Sequence, residues 1–212
     1  ELLVVVTIIA ILCSLLMVVI NQVRYQARNT VCAIQLRQWG VSLLAFAGDN
    51  QGWFPRHSVS AGTGQNTWDV SIDMYNSLVK NYELPPRILL CPFTMPQRDI
   101  DAAIAGMMTY SLTNGLVVLG YSYWVQRSDL NATYPGLSAA APSRTAGSNN
   151  MDVPLMTDRT WIWNSGGLSS FHTRVGDFPT NQLFIDGHVA SVRKSQLSDH
   201  WDGNWGICQN WR

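Results

Sequence analysis

The sequence predicts an α+β fold in which one long N-terminal α-helix packs on a small antiparallel β-sheet domain. Three features predict it. An uncharged apolar run, LLVVVTIIAILCSLLMVVI, fills Leu2 to Ile20. Helical spacing then continues to Ala47 without a Pro. Beyond Gly48 the chain breaks into short β-type segments punctuated by Gly, Pro and Asn. Three parts are expected: 1–20, an apolar helix of membrane-spanning length; 21–48, its amphipathic continuation; and 49–212, a globular β-rich head.

The apolar run is 19 residues long and spans about 30 Å as a helix, the thickness of a bilayer core. Its polar members, Thr7, Cys13 and Ser14, are few and small. The run is too long for the apolar region of a signal peptide and has no small-residue cleavage site behind it. A helix apolar on every side would need burial on every side, which a head of this size cannot supply. Glu1 stands at its start. A carboxylate in an apolar setting costs several kcal/mol unless it is paired, so Glu1 is a functional candidate. Charged residues make up only 13% of the chain, and 14 basic residues balance 14 acidic ones. No field of one sign is available to draw in nucleic acid.

Between Asn21 and Ala47 two apolar rows follow the helical period. Ile20, Val23, Ala27, Val31, Ile34, Val41 and Ala45 form one, and Leu36, Trp39, Leu43 and Phe46 the other, expected beside it. Two rows suit a helix with one flank on its own head and another on neighbouring subunits; a single wide face on its own core suits them equally. Gly48-Asp49-Asn50 marks the stop. A helix from Glu1 to Ala47 would be about 70 Å long, far beyond what a small domain requires.

In the head, a helix is expected within Trp68 to Tyr82, with Tyr75, Leu78 and Val79 on one side. Ile88 to Cys91, bounded by Pro85-Pro86 and Pro92, reads as a strand or extended segment. Thr109 to Leu112 and Leu116 to Val125 read as strands joined at Asn114-Gly115, and Val153 to Met156 and Thr160 to Trp163 as further short strands. Residues 137–150 are small, polar and aperiodic, hence an exposed loop. In Leu183 to Val192, two β-type runs flank Asp186-Gly187, a strong hairpin signal that gives both residues a structural role. The Trp- and Asp-rich tail from Ser198 to Arg212 is expected to wrap over the head.

The string from Glu1 to Leu12, ELLVVVTIIAIL, closely resembles the N-terminal segment of type IV pilins and type II secretion pseudopilins. In that family a dedicated peptidase cuts ahead of an aromatic residue, which is then N-methylated. Three apolar or small residues follow, and then a Glu corresponding to Glu1. The resemblance implies about four residues ahead of Glu1 and a pairing of Glu1 with the N-terminal amine of a neighbouring subunit. Further blocks resemble one bacterial branch of the family: Cys32 to Gln38, Gly48 to Pro55, Cys91-Pro92 and Leu183 to Val189. That branch carries a His nine residues ahead of Asp-Gly, whereas His172 and Asp186 here are separated by 13 residues. Val18 stands where many relatives have Pro, so an unbroken helix is expected.

The resemblance implies a non-enzymatic subunit of an extracellular helical filament, resident in the inner membrane before assembly. Its partners would be copies of itself, the prepilin peptidase and the pilus or secretion machinery. Glu1, Leu2, Val5, Ile8, Ile9, Leu12 and Leu16 are the expected assembly residues. The alternatives are a type II secretion pseudopilin and a membrane-anchored glycan-binding module. Among the cysteines, Cys13 is expected as a buried thiol within the apolar helix. Cys32, Cys91 and Cys208 are the disulfide candidates, as expected outside the membrane. The matched blocks favour Cys32 with Cys91, which ties helix to head; Cys91 with Cys208 would pin the tail instead.

Other chemistry finds little support. No GxSxG, HExxH or Gly-rich phosphate loop occurs, and no CxxC pair suggests zinc. His172, Asp186, His188, Asp199 and Asp202 contain oxygen and imidazole donors but no complete calcium-loop pattern. No cofactor or metal is therefore expected, with calcium the one ion worth considering. Nine Trp residues, from Trp39 to Trp211, serve either the core and subunit contacts or glycan stacking. Asn131-Ala-Thr133 is a glycosylation sequon.

Overall fold

The computed structural model describes residues 2–56, 67–93, 101–102, 104–106, 115–125, 154–162, 168–170, 179–193, 198–200 and 207–209. Glu1, Asn131, His172, Asp202, the strand expected over 109–112 and the loop 137–150 lie outside them. A single helix, α1 (Leu2–Asp49, 48 residues), dominates the chain. At 1.5 Å per residue it is about 72 Å long. It runs unbroken through Val18, as the missing Pro predicts. It also passes through Gly48 and ends two residues later than expected. The stop comes from residues beyond it: Gln51 and Gly52 adopt φ of 58° and 84°, and the Gly52 amide returns to the Ala47 carbonyl at 2.7 Å. The left-handed turn satisfies a carbonyl the helix end leaves open.

The head combines short strands with one further helix. A four-stranded antiparallel sheet has the order β3 (Tyr121–Tyr123), β4 (Pro154–Asp158), β7 (Pro179–Phe184), β8 (Val189–Arg193). Three two-stranded ladders accompany it: β1 (Asp69–Ser71) with β2 (Leu116–Val118), β5 (Thr160–Ile162) with β6 (Leu168–Ser170), and β9 (Ser198–His200) with β10 (Ile207–Gln209). Helix α2 (Ile72–Asn81) starts where the Ser71 hydroxyl accepts the Met74 amide at 3.3 Å. It buries Met74, Tyr75 and Leu78, while Val79 is half-buried. The α+β class and the long helix thus agree with the sequence reading.

Several local expectations require correction. Of the Pro-bounded run Ile88 to Cys91, expected as a strand or extended segment, Ile88 and Leu89 instead complete a 3-10 turn, Pro86–Leu89, while Leu90 is extended. Pro86 presets a helical φ at the first position of that turn. Leu116 to Val125 is two strands, interrupted where Gly120 approaches the Cys91 backbone; a Cβ on Gly120 would lie 2.4 Å from the Cys91 nitrogen. Among the described residues β2 pairs with β1, not with a hairpin neighbour.

The Asp186-Gly187 hairpin joins β7 to β8 with Leu183 opposite Val189. Its loop has three residues rather than two: the Gly187 amide bonds the Phe184 carbonyl and the Phe184 amide bonds the His188 carbonyl, both at 2.9 Å. Only Gly187, at φ 85°, is left-handed, which makes this a turn closed by a glycine bulge. Gly187 also rests on α1, where a Cβ would lie 2.9 Å from Leu44 Cδ1. The glycine is therefore needed twice, for backbone conformation and for contact with the helix.

Candidate functional site

The second half of α1 binds the head through one face. Cys32, Leu36, Trp39, Leu43 and Ala47 are all 0% exposed. At about 100° of rotation per residue, they fall within an arc centred opposite the row Val23, Ala27, Ile34, Val41 and Ala45. That second row is exposed: Val23 at 55%, Ile34 at 49% and Val41 at 67%, with Ala27 and Ala45 exposed too. The two rows are therefore on nearly opposite sides of the helix, not side by side as expected. The head covers the one and leaves most of the other bare, with Phe46 of the first and Ile20 and Val31 of the second half-buried.

Continued toward the N-terminus, the bare row passes through Leu16, Leu12, Ile9 and Val5, which the same rotation places within about 60° of one another. There the whole circumference is apolar. Leu2 is 80% exposed, Val5 54%, Ile8 52%, and Leu12 and Leu16 60% each. Cys13, expected to be buried, is exposed in the single chain. Thr7 and Ser14 bond the carbonyls of Val4 and Ile11 at 2.8 and 2.7 Å. Both hydroxyls are satisfied within the helix, so this segment offers side-chain apolar surface without an unmet polar cost. The helix is long and apolar enough to cross a membrane by length and composition.

The buried seam between α1 and the head is partly polar. Trp39 Nε1 donates to the Ile88 carbonyl at 3.1 Å, and the Ser42 hydroxyl to the Tyr82 carbonyl at 3.2 Å. The Tyr121 hydroxyl donates to Gln35 Oε1. The Asn181 side-chain amide donates to Asn29 Oδ1 and Asp158 Oδ2, each at 2.9 Å, and its backbone amide donates to the same Asp158 oxygen at 2.7 Å. These bonds fix the helix in rotation and register, since a shift by one residue would break them together. Burial, chiefly, pushes the Tyr121 phenol well above its usual range, with the nearby Cys32, Cys91 and Asp158 adding to it. Burial also raises the Cys32 thiol, helped by its contact with Cys91.

Cys32 and Cys91 bring their sulfur atoms to 2.8 Å within this seam. Asp158 lies close enough that the three donor groups are within 4.8 Å of one another. Two thiolates on a tetrahedral zinc would sit about 3.8 Å apart, given Zn–S bonds of about 2.3 Å. The observed sulfurs are too close for that. Cys208 lies elsewhere, opposite Asp199 in the β9–β10 ladder.

The other candidates are accounted for locally. Asp186 accepts the His188 amide at 3.0 Å and contacts the His188 ring, which stacks on Phe184 at 4.4 Å. The backbone bond from His188 is the main influence holding the Asp186 carboxyl below its usual value. Neither residue extends toward a shared metal position with another described ligand. Trp39, Trp68 and Trp124 are buried, and Arg159 lies 3.8 Å over the Trp68 ring. Trp53 is 36% exposed and borders a groove of about 440 Å³ at the end of α1, but Arg56 lies over its ring at 5.0 Å. Asn29, Gln35, Tyr121, Asp158 and Asn181 were not marked by the sequence reading. Asn29 and Gln35 are three residues either side of Cys32, which places both beside the buried face, but that spacing alone does not distinguish seam from solvent. No family model, curated protein or solved structure matches the chain.

Proposed function

We propose that this chain is the structural subunit of a type IV pilus-like helical filament, with the pilin arrangement of helix and head. The carrying observation is the apolar surface opposite the head. An anchor needs about 20 apolar residues to cross a bilayer. Here the bare apolar row continues past that length to Ile34, Val41 and Ala45, beside the head and beyond any membrane that the first 20 residues span. Copies packed side by side would cover both parts of the row with one interface. Burial of a Val, Leu or Ile side chain contributes about 1.5–3 kcal/mol, so a bundle of such helices gains ample association energy. Glu1 fits as the acid that sets axial position by pairing with a neighbour's amine. Before assembly the apolar segment resides in the inner membrane, where the prepilin peptidase and assembly machinery act on it. The same features support a secretion pseudopilin, which differs in the filament's length and purpose rather than in the subunit contact.

A photo-crosslinking residue at position 41, activated in intact cells, tests the reading. Adducts at successive multiples of the subunit mass are expected. Adducts confined to lipid or to unrelated proteins would favour a membrane-anchored module instead.

A further inference from the structure

The seam holds two thiols that are far apart in sequence and almost in bonding contact. Cys32 lies on α1 and Cys91 follows the 3-10 turn of the head; their sulfurs are 2.8 Å apart, and the residues are 0% and 1% exposed. Gly120 presses on the Cys91 backbone from the other side, and its amide bonds the Leu89 carbonyl at 2.7 Å. Position and backbone of Cys91 are thus set by the head, while Trp39, bonded to Ile88, fixes α1 about two helical turns further along.

From this geometry we infer that Cys32 and Cys91 form a disulfide that closes while the helix is still undocked and is sealed from exchange once the helix docks. The inference is independent of filament formation, because both cysteines belong to one subunit and face its interior. The chemistry requires an oxidant, which is a disulfide-bearing thiol oxidoreductase or a small-molecule disulfide. One cysteine thiolate attacks a sulfur of the oxidant's disulfide and displaces one thiolate. The second cysteine thiolate then attacks the mixed disulfide at the first cysteine's sulfur and displaces the other. Two protons and two electrons leave the pair, and the oxidant takes them up as two thiols.

Each step needs in-line approach to a sulfur, and the docked seam allows none. Both cysteines are buried in one core cluster with Leu36 and Trp39 of the helix and Leu89, Leu90 and Tyr121 of the head, all at most 5% exposed. The same path serves oxidation and reduction, so a bond that reductant cannot reach in the folded chain is one that oxidant could not have made there. The raised Cys32 thiol agrees, since the attacking species is scarce at neutral pH once the pair is buried. The linkage clamps the head onto the exposed lever of α1, so a pull on the N-terminal segment does not peel the helix away.

The test uses the whole chain, extracted in mild detergent. Thiols are alkylated in denaturant without reductant, and the digest is mapped by mass spectrometry. A linked peptide pair carrying Cys32 and Cys91 is expected; alkylation of both, or a Cys91–Cys208 link, would overturn the assignment. Dithiothreitol is then applied to native and to urea-unfolded samples. Reduction of the native chain is expected to be at least about tenfold slower, because it waits on local opening. Equal rates would overturn the sealing and, with it, the order of events.

Discussion

Substitutions at Trp39 and Val41, two residues apart on α1, should have opposite consequences. Trp39 is fully buried and its indole donates to Ile88. Trp39→Ala leaves a large cavity, a change that costs about 3–5 kcal/mol, and it strips a buried carbonyl of its donor at about 1 kcal/mol more. Val41 is 67% exposed. Val41→Ala removes about two CH2 equivalents at ~0.8 kcal/mol each, only a third of it covered, so the loss is about 0.5 kcal/mol. The higher helix propensity of Ala offsets most of that. Urea unfolding of the chain in mild detergent, followed by near-UV circular dichroism, separates the two. With m near 1–3 kcal/mol/M, the total of about 4–6 kcal/mol for Trp39→Ala should lower the midpoint by about 1.3–6 M, and Val41→Ala should leave it almost unmoved. Equal shifts, or a Trp39→Ala shift under about 0.5 M, would refute the assignment of the two faces.

Further changes probe the seam and its charge state. Gly120→Ala places a Cβ 2.4 Å from the Cys91 nitrogen; it should cost about 1–3 kcal/mol and lower the yield of the Cys32–Cys91 linked peptide. Asp158→Ala removes the acceptor of two Asn181 bonds. The buried donors left behind should cost about 1–3 kcal/mol, seen as a lower urea midpoint, with Asp158→Asn closer to the parent. Tyr121 has a folded pKa above its ordinary 10, so its contribution is complete below pH 10 and is lost as pH rises beyond it. Stability should fall on the alkaline side, and the phenolate absorbance of Tyr121 should appear only with unfolding; free ionisation near pH 10 in the folded chain would contradict its burial.

How much the sequence disclosed depends on whether a feature is local. The continuous α1 was legible because uncharged residues and helical spacing persist to Ala47 without a Pro. The hairpin at Asp186-Gly187 was legible because Gly at a left-handed position leaves a local mark. Its three-residue loop was not, since that count depends on which residues of β7 and β8 pair. Ile88 and Leu89 were misread because a short apolar run between prolines suits a strand or a tight helical turn equally. The bond from Trp39, distant in sequence, lies with the turn. The polar seam was hidden for the same reason. Asn29, Asp158 and Asn181 are ordinary polar residues until three separate elements bring them together. The two rows of α1 were found, but which one faced the head rested on packing that no single-helix pattern contains.

The central claim is that the bare row of α1 is covered by other copies of the chain. Electron microscopy of material sheared from cells tests it most directly, comparing the parent with Glu1→Ala and Val41→Glu strains that accumulate the subunit to the same level. The account predicts filaments in the parent, and none in either variant although each subunit remains in the membrane fraction. Parent material found only as dispersed membrane particles, or filaments undiminished by Val41→Glu, would contradict it.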